Sequence, residues 1–167
     1  MNELEIQKFY LYNLSILIID NDFKQIEILK KFIESHGGIC HSVDNINEAI
    51  NYIETQQFDV VICDLLLDDG STAFDFIDRT KIIDTPLTIV LTTEQEISHF
   101  LDKIVKKEIY AFLSKPYDLT TLGLLLLQAS RNTKNLRKNL YFTNNLKNKI
   151  MLIQKEKDRF FFNTLTS

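Results

Sequence analysis

Short apolar segments alternate with segments of helical periodicity over residues 14–113, and this alternation constrains the fold more than any other feature. Runs rich in β-branched residues predict five strands, at residues 14–20, 38–43, 58–64, 87–92 and 109–113. Apolar residues at helical spacing predict the intervening helices, at residues 22–35, 45–56, 72–80 and 95–107. This order is typical of α/β proteins, so we expect a doubly wound, five-stranded parallel sheet with helices on both faces.

Polar side chains stand at the carboxyl ends of the predicted strands, where such sheets bind their ligands. Asp20 ends the first strand and Asp64 the third, while Thr92 ends the fourth and Lys115 follows the fifth. Carboxylates brought together repel each other, and a hard divalent cation among them offsets this repulsion. A hydroxyl and an ammonium group, as in Thr92 and Lys115, could bind an anion beside that cation. The combination indicates a phosphoryl-transfer site. The alternative is that each acid only ends a strand or caps a helix, as we expect of Asp22.

Four segments resemble the receiver domain of two-component response regulators, in the family's order and over about residues 14–128. They are ILIIDND, VICDLLLDDG, IVLT and FLSKP. The resemblance implies the flavodoxin-like receiver fold and a regulatory phosphoacceptor rather than a metabolic enzyme. It also implies a histidine kinase or phosphotransfer protein as the partner, with the receiver assisting its own phosphorylation and dephosphorylation.

The resemblance implies a magnesium site as well. Asp64 would be the phosphoacceptor, and Mg²⁺ would be bound by Asp20, Asn21, Asp64 and the backbone carbonyl of Leu66. Asn21 stands where the family usually has the second acid of a pair. An amide oxygen can bind Mg²⁺, but the site loses one negative charge, so we expect weaker metal binding.

Three further residues match the family's phosphate-binding and switch positions. Thr92 would bond a phosphoryl oxygen, Lys115 would pair with the phosphate, and Phe112 would change rotamer together with Thr92. Thr93 replaces the small residue that usually follows the switch threonine, which predicts slower entry of the phosphoryl group. Thr93 and the adjacent Glu94 are therefore candidate modulators of the site.

The loop after Asp64 is unusually acidic. Asp68 occupies a position where the family often has proline, and Asp68 or Asp69 would partly compensate for the charge missing at Asn21. The alternative to a working phosphoacceptor is a pseudo-receiver, which keeps the fold and serves as a phosphate-independent dimerisation module.

Charge divides the chain at Tyr117. Residues 1–117 contain 10 basic and 20 acidic residues, a net charge of −10, whereas residues 118–167 contain 9 and 3, a net charge of +6. The second region has no proline, and no glycine after Gly123, which predicts a long helix. Spacings of three and four, with one additional three-residue step, predict a coiled-coil seam and a homodimer through this helix. The seam comprises Leu126, Ala129, Thr133, Leu136, Leu140, Thr143, Leu146, Ile150, Ile153, Lys157 and Phe160.

These patterns predict an N-terminal extension at 1–13, a receiver domain at 14–128 and a helical stalk at 129–167. Exposed aromatic residues at 160–162 are unusual at a free terminus, so we expect the stalk to lead to an output domain. The nine basic residues favour a solvated helix surface, because no nucleic-acid-binding motif accompanies them. A nucleic-acid-binding regulator is the rival interpretation. No apolar run reaches the roughly 18 residues of a membrane span, and two cysteines without a CxxC pair favour the cytoplasm.

Overall fold

The five predicted strands form one parallel sheet in the computed structural model, which describes residues 11–107 and 109–166. The strands are β1 Ser15–Ile19, β2 Ile39–Val43, β3 Val60–Asp64, β4 Thr88–Thr93 and β5 Ala111–Ser114. They pair in the order β2-β1-β3-β4-β5, and every pair is parallel. The predicted fold class, a flavodoxin-like receiver fold with a long C-terminal helix, is confirmed.

Helices follow the strands in the expected alternation. The helices are α1 Phe23–Ser35, α2 Ile46–Thr55, α3 Ala73–Ile83, a 3-10 turn Ile97–Phe100 continued by α4 Leu101–Lys106, and α5 Leu119–Leu165. Side chains cap the first two helices: Asp22 accepts hydrogen bonds from the backbone N–H groups of Lys24 and Gln25, and Asn45 accepts one from the backbone N–H of Glu48. The predicted capping role of Asp22 is therefore confirmed.

The helix predicted for residues 95–107 is present over residues 97–106, but it is not one regular α-helix. That segment forms a short 3-10 turn and a six-residue helix, and neither has a buried residue. Leu101 is 52% exposed and Val105 75% exposed, whereas Phe100 and Ile104 are partly buried and pack against the core that contains α2 and α3. Because helices depend on a packed apolar face for most of their stability, this partial packing does not support one regular α-helix over the whole segment.

The sheet separates two apolar cores. Alternate side chains of a strand point to opposite faces, so Leu17 and Ile19 pack towards α2 and α3, whereas Ile16 and Ile18 pack towards α1 and α5. Strands β1 and β3 are nearly continuous apolar runs because both of their faces are covered. This two-sided burial leaves the carboxyl edge of the sheet as the place where polar side chains can gather.

A buried hydrogen-bond cluster joins α5 to the start of β4. The Oγ1 atom of Thr133 accepts a bond from the Thr88 N–H at 3.0 Å and donates one to Thr88 Oγ1 at 2.7 Å. Asn132 Nδ2 also donates to Thr88 Oγ1, at 3.0 Å. Both threonines are buried, so the cluster attaches this turn of α5 to the sheet.

Contacts divide the chain into one compact unit that ends at Lys134 and a second that begins at Asn135. Within the first unit, α5 contributes buried side chains from Leu122 as far as Thr133. Within the second, residues 141–166 are exposed throughout. The boundaries expected from the sequence, at residues 13 and 128, stay predictions. Among the helices described, none combines the length and apolarity that crossing a bilayer requires.

Candidate functional site

The predicted polar residues meet at the carboxyl edge of the sheet. Asp64, the last residue of β3, pairs in register with Thr92 of β4. Asp20 follows β1, the neighbour of β3 on the other side. Lys115 follows β5 and donates its backbone N–H to the carbonyl of Thr93 at 2.7 Å. Parallel strands that all end at one edge therefore bring together groups that are up to 95 residues apart in the chain.

Lys115 lies between the two carboxylates. Its Nζ is 2.9 Å from Asp20 Oδ2 and 3.4 Å from Asp64 Oδ2. The side chains of Lys115 and Asp20 are 5% and 3% exposed, whereas that of Asp64 is 21% exposed. Asp64 is thus the carboxylate that a molecule in solution can reach, and Asp20 is held inside by the ammonium group and by the N–H of Asp22 at 2.9 Å.

The electrostatics of the site follow from this burial. Burial is the main cause that raises the pKa of Asp64. The charge of Lys115 lowers this pKa, and the charge of Asp20 raises it. Burial by itself would lower the pKa of Lys115, but hydrogen bonding to Asp20 and the charges of both carboxylates raise it. The ammonium group therefore stays charged, and Asp64 favours the uncharged form more than an exposed aspartate does.

Thr92 presents a hydroxyl with no partner in the described part of the chain. The residue is 1% exposed and its Oγ1 is buried. Buried polar groups are nearly always hydrogen-bonded, so an unpaired hydroxyl beside Asp64 is available to an additional group at this edge.

Asn21 and the loop after Asp64 are linked. Asn21 Oδ1 accepts the backbone N–H of Asp68 at 2.9 Å, and its Nδ2 donates to the carbonyl of Asp44 at 2.9 Å. Asp69 instead accepts bonds from the backbone and hydroxyl of Ser71, and these bonds lower the pKa of Asp69. The two acidic residues of this loop therefore differ, because the Asp69 carboxylate is engaged in a local turn.

The remaining predicted residues lie around this cluster. Thr93 is buried and its Oγ1 accepts the N–H of Gln95 at 2.9 Å, so it shapes the loop that follows β4. Glu94 is exposed in that loop. Phe112 lies on β5 with 42% of its surface exposed, and the structure places its ring outside the buried cores.

Sequence reasoning missed Tyr117. Its hydroxyl is buried and has no partner among the described residues. Burial raises the pKa of Tyr117 to about 12. The charges of Asp20 and Asp64 act in the same direction, and the charge of Lys115 opposes them. The sequence signal for Tyr117 was its position two residues after Lys115. An aromatic residue there is read as an apolar packing residue, so its hydroxyl drew no attention.

The oxygens at this edge suit a hard cation. Among the described residues, no three His, Cys, Asp or Glu side chains are placed to hold a metal ion together, so a cation here would rely on two carboxylates, a carbonyl and water. Mg²⁺ usually binds one or two carboxylates and keeps several waters, so Asp20, Asp64 and the Leu66 carbonyl are the candidate ligands. Both oxygens of Asp20 and the side-chain oxygen of Asn21 already accept hydrogen bonds, so a cation would share or displace those donors.

Two curated proteins are similar to much of this chain. A cyclic di-GMP phosphodiesterase of Thermotoga maritima is 24% identical over 149 residues, which are 89% of this chain and 39% of the relative. The DNA-binding transcriptional regulator NtrC of Rhizobium meliloti is 27% identical over 108 residues, which are 65% of this chain and 22% of the relative. The chain therefore spans less than half the length of each.

A solved structure and a family model complete the comparison. The response regulator protein TrrA of Thermotoga maritima, in complex with Mg²⁺-BeF, has a TM-score of 0.61 at 19% identity, over 70% of this chain and 98% of TrrA. The model of the response regulator receiver domain matches residues 16–126. Since this match covers most of the chain and agrees with the strand order, the chain belongs to the response regulator receiver domain family.

Proposed function

We propose that this receiver accepts a phosphoryl group on Asp64 from a histidine kinase or a phosphotransfer protein. The observation that supports this most directly is an accessible carboxylate with a buried ammonium group 3.4 Å away. The neighbouring strand adds a threonine hydroxyl that has no partner among the described residues. An Asp64 oxygen attacks phosphorus while the P–N bond of the phosphohistidine breaks. The imidazole leaves with the electron pair and takes up a proton, and the product is an aspartyl phosphate.

Lys115 and Thr92 would hold that product. The added phosphoryl group has a charge of about −1.5 to −2 and three acceptor oxygens. Lys115 already lies within 3.4 Å of Asp64 and needs little movement to pair with it. The Thr92 hydroxyl would gain its missing hydrogen bond, and Phe112 on the adjacent strand β5 is the residue we expect to follow Thr92.

Asp20, Asp64 and the Leu66 carbonyl are the residues that would hold Mg²⁺. When bound, the cation would neutralise the negative charge that gathers as the phosphoryl group approaches. The similarity of the fold to TrrA, which was solved with Mg²⁺-BeF, supports this assignment. With an amide at Asn21 in place of a carboxylate, we expect the affinity for Mg²⁺ to be low.

Intact-mass measurement tests the phosphoacceptor. The protein is incubated with Mg²⁺ and acetyl phosphate, and we expect the mass of one phosphoryl group to be added to the wild type and absent from Asp64→Asn. Asp102→Asn removes an exposed carboxylate on α4 and is the matched control, which should react like the wild type. No adduct in any of the three proteins would favour the pseudo-receiver instead, and an equal adduct in Asp64→Asn would place the acceptor elsewhere.

We also propose that the second unit forms a parallel dimer with a second copy of the chain. Leu146, Ile150 and Ile153 occupy successive seam positions and are 61%, 55% and 64% exposed in the single chain. Burying an isoleucine contributes about 1.5–3 kcal/mol, so Ile150→Lys in both copies should weaken a dimer at least about 100-fold. Leu152→Lys, at an equally exposed position off the seam, should have little effect. Sedimentation equilibrium measures both, and equal effects would reject the seam.

Receiver domains are regulatory, and the function of the whole protein depends on what the receiver controls. The two relatives extend far beyond the matched part, and one is a phosphodiesterase and the other a transcriptional regulator. We therefore expect an output domain to be joined to the helix, with the stalk passing on the change made at Asp64. A cytoplasmic location stays a prediction.

A further inference from the structure

The side chain of Asn21 connects two loops that are distant in sequence. Its Nδ2 donates to the carbonyl of Asp44, 23 residues away in the loop between β2 and α2. Its Oδ1 accepts the N–H of Asp68, 47 residues away in the loop after the acceptor. Both bonds are 2.9 Å long, so one amide satisfies a backbone acceptor of one loop and a backbone donor of the other.

An amide can make both bonds because its oxygen accepts and its nitrogen donates. A carboxylate at this position could still accept the Asp68 N–H, but it has no hydrogen to donate to the Asp44 carbonyl. It would place a negative oxygen against a carbonyl oxygen instead. Alanine would lose both bonds. Asn21, which stands where the family usually has an acid, therefore links the two loops in a way that an ionised acid could not.

The loop that Asn21 holds is already stiff within itself. Leu67 donates its N–H to the carbonyl of Ser71, and Gly70 donates its N–H to the carbonyl of Leu67, each at 3.0 Å. Gly70 adopts a φ of +82°, which glycine tolerates without strain. A bond to Asp68 in the middle of this turn consequently ties the turn to the end of β1. Leu66 directly precedes the turn and forms a bridge with Thr72 across its base, so it is held by the same unit.

We propose that Asn21 is a positioning residue that clamps the acceptor loop beside Asp64 before any metal arrives, and that this is its main role in place of binding Mg²⁺. The inference rests on the phosphoacceptor function proposed above. The metal site has one negative charge fewer because residue 21 is an amide. In return, the loop after Asp64 holds the Leu66 carbonyl in place before a cation binds. Asp68, whose N–H is held by the clamp, is also kept at the rim of the site.

Amide hydrogen exchange without Mg²⁺ tests the clamp directly. We expect the Asp68 amide to exchange about tenfold faster in Asn21→Ala than in the wild type, since one hydrogen bond is lost. Asn21→Asp keeps the acceptor and should retain the protection of Asp68. Asn47→Ala removes an exposed amide that accepts a bond from Arg79 and should leave Asp68 unchanged. A residue that only binds metal would not alter exchange in metal-free protein, so unchanged exchange in Asn21→Ala overturns the clamp.

The rate of phosphorylation at saturating Mg²⁺ tests whether the clamp positions the acceptor loop. Under that condition a difference in metal affinity no longer limits the rate, and we expect Asn21→Ala to form the adduct several-fold more slowly than Asn47→Ala. Faster exchange with an unchanged rate would reduce Asn21 to a structural link and overturn its positioning role. If the wild type forms no adduct, the phosphoacceptor proposal fails and the positioning role fails with it, while the exchange data alone still establish or reject the link between the loops.

Discussion

Replacing Thr133 with valine removes one buried hydroxyl and keeps the shape of the side chain. Thr133 is 0% exposed, and its oxygen is the acceptor for the Thr88 N–H at the start of β4. In the variant that N–H stays buried with no acceptor, which costs about 1–3 kcal/mol. Thr88 Oγ1 also loses one donor but retains Asn132. We therefore expect the free energy of unfolding to fall by about 2 kcal/mol, or roughly 8 °C in Tm for a domain of this size.

Urea denaturation followed by circular dichroism measures the loss, at one protein concentration because association of copies would shift the midpoint. Thr143→Val is the matched control in the same helix, since its hydroxyl bonds only the Asn139 carbonyl and the residue is exposed. That variant should change stability by less than about 0.5 kcal/mol. Equal losses in the two variants would refute the conclusion that α5 is packed into the receiver as far as Thr133.

Two further predictions concern the charged cluster. Lys115→Met leaves the Asp20 carboxylate buried without its cation and should cost about 3–5 kcal/mol at neutral pH, whereas Lys107→Met breaks an exposed pair with Asp78 and should cost about 0–1 kcal/mol. Similar losses in urea denaturation would contradict the buried pair. Burial raises the pKa of Asp64 above 3.8, so the stability linked to this group is present at low pH and is lost as the pH rises through its folded-state pKa. Asp64→Asn should accordingly be more stable than the wild type at pH 7, and the difference in urea midpoint should shrink towards pH 4; a constant difference would contradict the shift.

The strands were predictable because both faces of the central sheet are buried. A strand covered on two sides is a short apolar run, and β1 and β3 lie within the predicted segments 14–20 and 58–64. The cap at Asp22 was predictable for a similar reason, since a cap bonds groups two or three residues away. The segment 95–107 divides into a 3-10 turn and a short helix because Phe100 and Ile104 pack only partly against the core, while Leu101 and Val105 stay exposed.

Some features of the candidate site were predictable from the sequence and others were not. The order of Asp20, Asp64, Thr92 and Lys115 along the chain is enough to predict that they meet, because parallel strands all end at one edge. The sequence could not show that Lys115 is buried between two carboxylates or that the Tyr117 hydroxyl is buried without a partner among the residues that the structure describes. Those properties depend on how closely helices and loops cover the edge.

By itself, the sequence determined the class of fold, the family and the set of residues at the carboxyl edge, since each of these follows from local periodicity and the direction of the strands. The tertiary structure alone decided the partners of Asn21, which are backbone groups of two other loops, and the reach of the packed part of α5 to Thr133. The physical reason is that a hydrogen bond between segments 23–95 residues apart has no periodicity along the chain. Such a bond forms only where packing has already brought the donor and the acceptor to within 3 Å of each other.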